Sequence, residues 1–183
     1  GKISLPMRSF RSLLLKKIDV RMPGLSVLRL RLHRHLAQVD SVSQHGHSYG
    51  QLLCYLSNGG TLRLHRDRHD ITTGTLAWIP GGRTHSFIEH PIRRPVCLAI
   101  DLRIDPQPAT KVSLLNHSEA ARIRAKISEL GRLKDPSSIE SRFLAASHTL
   151  AILDIELRAL GFLPRQAVPM PSIIRKFQSL ASD

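Results

Sequence analysis

A mainly β fold closed by a pair of antiparallel helices is what this sequence predicts. Three observations carry that expectation. Residues from Leu25 to Ile104 alternate with period two. Turn residues punctuate that stretch at close spacing. After Asp105-Pro106-Gln107-Pro108 the apolar spacing becomes helical.

Val27 to Leu36 alternates apolar with basic residues: Leu28, Leu30 and Leu32 face one way, and Arg29, Arg31 and His33 the other. That is the pattern of a half-buried strand with a wet outer face, on which Arg29, Arg31 and Arg34 are expected to be solvated. Gln51 to Leu56 is a short apolar run, and Thr61 to Leu64 alternates again. Asn58-Gly59-Gly60 between them tolerates positive φ, so the two runs read as a hairpin. Leu76 to Ile79, His85 to Glu89 and Val96 to Ile104 are further strands. Thr73-Gly74, Pro80-Gly81-Gly82 and the stretch from Pro91 to Pro95 separate them. Many short strands with close turns argue for a sandwich or barrel.

Asn116 or Ser118 can cap a helix over about residues 119–133, with Ala120, Ile123, Ile127 and Leu130 on one face. Lys134-Asp135-Pro136 ends it. Ser137 or Ser138 starts a longer helix over residues 139–160, and Gly161 stops it. This second helix is apolar over a wide arc, so it should bury one face on the barrel and another on a second copy, making a homodimer. The expected organisation is a barrel with a basic N-terminal arm (Arg8, Arg11, Lys16, Lys17) over residues 1–110 and helices over 111–163. A Pro-rich linker and the start of a further helix (Ser172 to Ala181) follow over 164–183.

Composition narrows the function classes. The 183 residues are 42% hydrophobic and 22% charged, which excludes disorder as the main state. No apolar run approaches the roughly 18 residues of a membrane span, and Gly1 to Phe10 lacks the core of a secretory signal. No membrane partner is expected. Cys54 and Cys97 sit in apolar runs without a CxxC partner, so they read as two buried free thiols of a cytoplasmic protein. The net charge of +13 favours anionic partners in general. No compact Lys/Arg run and only 4% aromatic residues speak against a nucleic-acid surface on this chain.

Two stretches carry chemistry. The first is His45-Gly46-His47-Ser48-Tyr49-Gly50-Gln51, in which residues 45, 47, 49 and 51 are expected to share one strand face because side chains alternate. The second runs from Gly74 through Pro80 and Gly82 to His85. Gly74 permits a turn, and Pro80 with Gly82 shapes a tight reversal that delivers His85 to the next strand. Imidazoles of His45, His47 and His85 converging in a small barrel could bind a divalent transition metal such as Zn, Ni, Fe, Mn or Cu. Gln51 would be a weak fourth ligand through its carbonyl oxygen. Tyr49 and Tyr55 share the histidines' parity and are candidate ligand contacts. Trp78 is a third candidate, because an indole can stack on a ring or a sugar. No Ser/His/Asp or Cys/His arrangement names a catalytic group.

These two stretches resemble the motifs of the cupin superfamily. The second motif is matched from Gly74 to His85 without a gap, with Glu89 where the pattern ends in Asn. The first departs from its pattern twice: Gln51 stands for the usual Glu, and Asn58 for the usual turn Gly. The resemblance implies a double-stranded β-barrel, or jelly roll, with His45, His47, Gln51 and His85 at its mouth. Loss of the Glu removes the only anionic ligand.

A narrower resemblance rests on Tyr49 to Ser57, Thr61-Leu62-Arg63-Leu64 and Leu76-Ala77-Trp78-Ile79-Pro80. These look like the sensor domain of AraC-type transcriptional regulators. That resemblance implies an effector-binding barrel, a dimerising helix pair, and DNA contact only through a C-terminal domain absent from this chain. The alternative it leaves is a stand-alone metal-dependent cupin enzyme of the dioxygenase or isomerase type.

Overall fold

Alternation decides which way each strand looks. The six-residue run Gly50–Tyr55 is buried throughout, and its side chains go to two different cores. Leu52 and Cys54 pack with Leu76, Trp78 and Leu98 in one cluster. Leu53 and Tyr55 pack with Leu62, Phe87 and Cys97 in another. A strand buried on both faces must be the middle layer of three. The computed structural model shows those layers, describing residues 10–35, 41–88, 90 and 92–164, with the backbone alone for Phe10 and residues 41–46.

Among the described residues ten strands form: β1 (Phe10–Met22), β2 (Leu25–His35), β3 (Ser41–Gly46), β4 (Gly50–Tyr55), β5 (Thr61–Leu64), β6 (Asp67–Asp70), β7 (Thr75–Ile79), β8 (Thr84–Ile88), β9 (Val96–Ile104) and β10 (Lys111–Leu114). Two helices follow, α1 (His117–Arg132) and α2 (Ile139–Ala159). The strands make an antiparallel six-stranded sheet, β1-β2-β9-β4-β7-β10, and a four-stranded sheet, β3-β8-β5-β6. The two sheets face each other as a jelly-roll barrel. The helices lie on the outer face of the larger sheet, where Ile123, Ile152 and Leu160 reach Leu30, Leu98 and Ile100.

Several expectations change here. The residues expected as a loose basic arm form, from Phe10 on, a 13-residue edge strand paired with β2. Leu13 and Leu15 remain exposed on that edge. Asn58-Gly59-Gly60 does not close a hairpin. Both edges of β4 are taken, by β7 and β9, so β5 must leave that sheet and join the other. The tight two-residue hairpin lies one strand later, at His65-Arg66 between β5 and β6. Neither β6 nor β10 is apolar enough to be read from the sequence, and β10 extends the sheet past residue 110.

The helices start as their caps dictate. Asn116 Oδ1 accepts from the Glu119 amide at 2.8 Å, and Glu119 Oε2 accepts from the Asn116 amide at 2.8 Å. This reciprocal box selects Asn116 over Ser118 as the cap of α1. Ser138 caps α2 by accepting from the Ser141 amide at 3.1 Å. Gly161 follows α2 at φ +75°. Among the described residues no helix is long and apolar enough to cross a membrane. The expected helix over 172–181 and Glu89 lie outside the described residues.

Candidate functional site

The first motif is not one strand. β3 ends at Gly46 and β4 begins at Gly50, so His45 belongs to the four-stranded sheet and Gln51 to the six-stranded one. His47, Ser48 and Tyr49 form the corner between sheets. The second motif holds that corner from below. The Gly82 amide donates to His47 O at 2.7 Å, and Gly82 has φ +81°. A Cβ on Gly81 would come within 2.8 Å of Ser48 O. The Gly-Gly pair is therefore what lets β8 start beneath His47.

That arrangement brings the motif histidines together. His85 on β8 is the register partner of His45 on β3. The His47 and His85 ring centroids are 5.9 Å apart. His47 also stacks on Tyr49, at 5.0 Å between centroids. His47, Gln51 and His85 line one cavity of about 340 Å³ between the two sheets. The His45 side chain lies outside the described set.

β2 supplies the residues that sequence reasoning placed on the wrong side. Arg31 and His33, expected on the wet face, line the same cavity, as does His35, and the Arg31 side chain keeps 32% of its surface exposed. β2 lies between β1 and β9, with the helix-side core on one face and the cavity on the other. Leu30 and Leu32 turn to the helices, and Arg34 stays exposed as expected. Burial holds the His33 imidazole down at about 4, helped by the Arg31 charge. Burial likewise lowers His35 to about 3, with the charges of His33 and Arg94 acting in the same direction. Both rings are neutral at neutral pH, and each offers one donor and one acceptor.

Asp101 on β9, fully buried, anchors this wall. Arg29 Nε donates to its Oδ2. Arg31 Nη2 donates to its Oδ1 at 3.1 Å, and Gln51 Nε2 to the same oxygen at 2.9 Å. Arg29 Nη2 also donates to the Tyr49 hydroxyl at 2.6 Å. Sequence reasoning missed Asp101 altogether. Its role depends on a register between strands 50 and 70 residues apart, which no local pattern reports.

The aromatic candidates divide. Tyr55 is buried on the cavity wall, and burial raises its hydroxyl well above the ordinary tyrosine range. Tyr49 stands at the corner, held by Arg29 and His47. Trp78 belongs to the other core: it is fully buried on the helix side, donates Nε1 to Pro108 O at 3.0 Å, and meets Phe162 edge-on. This corrects the expectation of a stacking platform in the cavity. Cys54 faces the helices and Cys97 the cavity; burial pushes both thiols up, so neither is a thiolate nucleophile.

His47 and His85 are placed to share an ion, and Gln51 can lend a carbonyl oxygen while its amide nitrogen serves Asp101. Among the described residues, however, no three His, Cys, Asp or Glu side chains are grouped to hold a metal. The Arg31 charge in the same cavity works against a cation. The described donors alone do not make a metal site.

Solved structures similar to this chain include a cupin-2 domain protein from Shewanella frigidimarina, 14% identical, covering 52% of this chain and 80% of its own, with TM-score 0.36. A cupin superfamily protein from Desulfitobacterium hafniense is 16% identical, with coverages of 56% and 93% and TM-score 0.37. A predicted oxalate decarboxylase from Thermotoga maritima is 18% identical, with coverages of 43% and 68% and TM-score 0.38. Cupins recur among these neighbours. At such TM-scores the likeness carries no argument about activity, and the cupin-like barrel is read from the chain's own two sheets. No family model matches the chain, and no curated protein matches it.

Proposed function

We propose that this chain is the effector-sensing and dimerisation part of an AraC-type transcriptional regulator, with the barrel cavity as its effector site. The observation that carries the reading is the cavity itself. It is a concave space of about 340 Å³ between two sheets, apolar over much of its wall, with a few convergent polar groups. That is the make-up of a small-molecule site, at the small end of the usual range of roughly 300–1,000 Å³.

The helix pair supports the second half of the reading. Ile139 and Phe143, near the N-terminal end of α2, are 81% and 71% exposed. Large apolar side chains left in water on a helix otherwise packed to the barrel suit an isologous contact with a second copy. An effector that binds one arrangement of barrel and helices better than another shifts the population toward it. DNA contact would belong to a domain outside this chain.

The test joins two measurements on the purified chain. A thermal-shift screen of small organic compounds should find compounds that raise the melting temperature in a saturable way. Light scattering at tens of micromolar should report a dimer. A monomer whose melting temperature no compound moves overturns the reading. A chain that retains one transition-metal ion per copy and consumes oxygen in its presence would place it instead with metal-dependent cupin enzymes.

A further inference from the structure

The cavity has a sign. Arg29 and Arg31 both donate to Asp101, so two guanidinium charges meet one carboxylate and the cluster keeps one positive charge in excess. Gln51 donates to Asp101 as well. No other carboxylate is among the described residues that line the cavity. Of the two arginines only Arg31 is part of the cavity wall. Its Nη2 is used on Asp101, and the side chain as a whole keeps 32% of its surface exposed. A guanidinium charge in the wall of a cavity lined by no carboxylate among the described residues is a place for an anion.

The rest of the wall describes the other end of the ligand. Leu53, Leu62, Tyr55 and Phe87 line the same space. Tyr55 and Phe87 lie parallel at 6.5 Å between centroids, and His35 packs on Phe87 at 4.0 Å. An anion that filled the cavity would therefore need an apolar or aromatic body behind its charged head. Inorganic phosphate would leave that part of the cavity unfilled, and a free sugar would place hydroxyls against it. A volume of about 340 Å³ corresponds to roughly eleven waters at about 30 Å³ each, which limits the whole ligand to about as many non-hydrogen atoms.

We infer that the barrel takes a small organic monocarboxylate, with its carboxylate on Arg31 and its apolar body against Leu53, Leu62 and Phe87. This rests on the reading of the cavity as an effector site and names the chemical class of the effector.

The experiment uses sodium salts of straight-chain acids from propionate to octanoate, and benzoate, each against its own primary amide, by titration calorimetry. The amide keeps size and shape and removes the charge. At least one acid should bind saturably and at least tenfold more tightly than its amide. Arg31→Gln should erase that preference while circular dichroism stays unchanged, because Asp101 keeps Arg29 and Gln51. Arg31→Lys, which restores the charge without the planar fork, should recover part of it. Amides binding as well as acids, or an acid preference untouched by Arg31→Gln, overturns the carboxylate assignment and leaves the effector site standing. Failure of every acid and every amide to bind overturns the assignment, and a thermal-shift screen that also finds nothing then overturns the effector site with it.

Discussion

Gln51 gives its amide nitrogen to Asp101 at 2.9 Å, and the two residues are also register partners across β4 and β9. One cross-strand pair thus ties the motif glutamine to the only buried carboxylate on the cavity side of the sheet among the described residues.

Asp101→Asn should be the most damaging polar substitution in the wall. It leaves Arg29 and Arg31 without their counter-charge and removes charge-assisted hydrogen bonds worth roughly 1.5–3 kcal/mol. The expected outcome is a fall of that order in unfolding free energy by urea titration. An unchanged urea midpoint would count against the cluster as the anchor.

Acid should destabilise the barrel through β2. His33 and His35 sit at about 4 and about 3 in the folded chain, below the ordinary value of 6.5. Between those values and 6.5 the unfolded chain holds protons that the folded chain refuses. Their contribution is present above pH 6.5 and lost as pH falls toward 4. A His33→Gln, His35→Gln double variant should lose less of its stability between pH 6.5 and 4 than wild type, followed by denaturant midpoints across that range.

Base should act through α2. Glu156 is fully buried against the sheet, neither carboxyl oxygen has a hydrogen-bond partner among the described residues, and burial raises its pKa to about 8. The folded chain keeps this proton while the unfolded chain releases it near 4.5, so stability falls as pH rises from about 4.5 to about 8. Glu156→Gln should flatten that decline, a difference of a few kcal/mol at pH 8. Thermal melts of both proteins at pH 6 and pH 8 check it.

Gly50→Ala probes the helix-facing side of the larger sheet. A Cβ there would stand 2.1 Å from Trp78 Cη2. The fully buried indole has no room to yield, so overpacking should cost about 1–3 kcal/mol. As Trp78 is the sole tryptophan, its fluorescence reports the disturbance directly.

Phe143→Asp should leave the barrel folded, since the ring is 71% exposed, and should convert the proposed dimer to a monomer. Light scattering before and after the substitution decides it. A dimer unaffected by the change would place the contact elsewhere.

What the sequence makes legible here is local. The motif from Gly74 to His85 announces its turn and its histidine, and the Asn116 and Ser138 caps announce the helices, because each rests on neighbours in the chain. What it hides is relational. Alternation in β2 shows two faces but not which one is wet; that depended on the helices covering one face and the second sheet closing a cavity over the other. The hairpin expected at Asn58-Gly59-Gly60 failed because β4 had no free edge to offer. Asp101 became readable only once strands far apart in sequence were in register.

The position of β9 has a further consequence for how the protein is made. Strands β2 and β4 both pair with β9, which leaves the ribosome after both of them. Arg31 emerges 70 residues before Asp101. At a synthesis rate of roughly 5–20 residues per second, that is about 4–14 seconds. During that interval the arginines and imidazoles of β2 stay in water, and the cavity wall has no central strand to assemble on. Closure of the larger sheet is therefore a late event in biosynthesis, timed by the arrival of a single acidic residue.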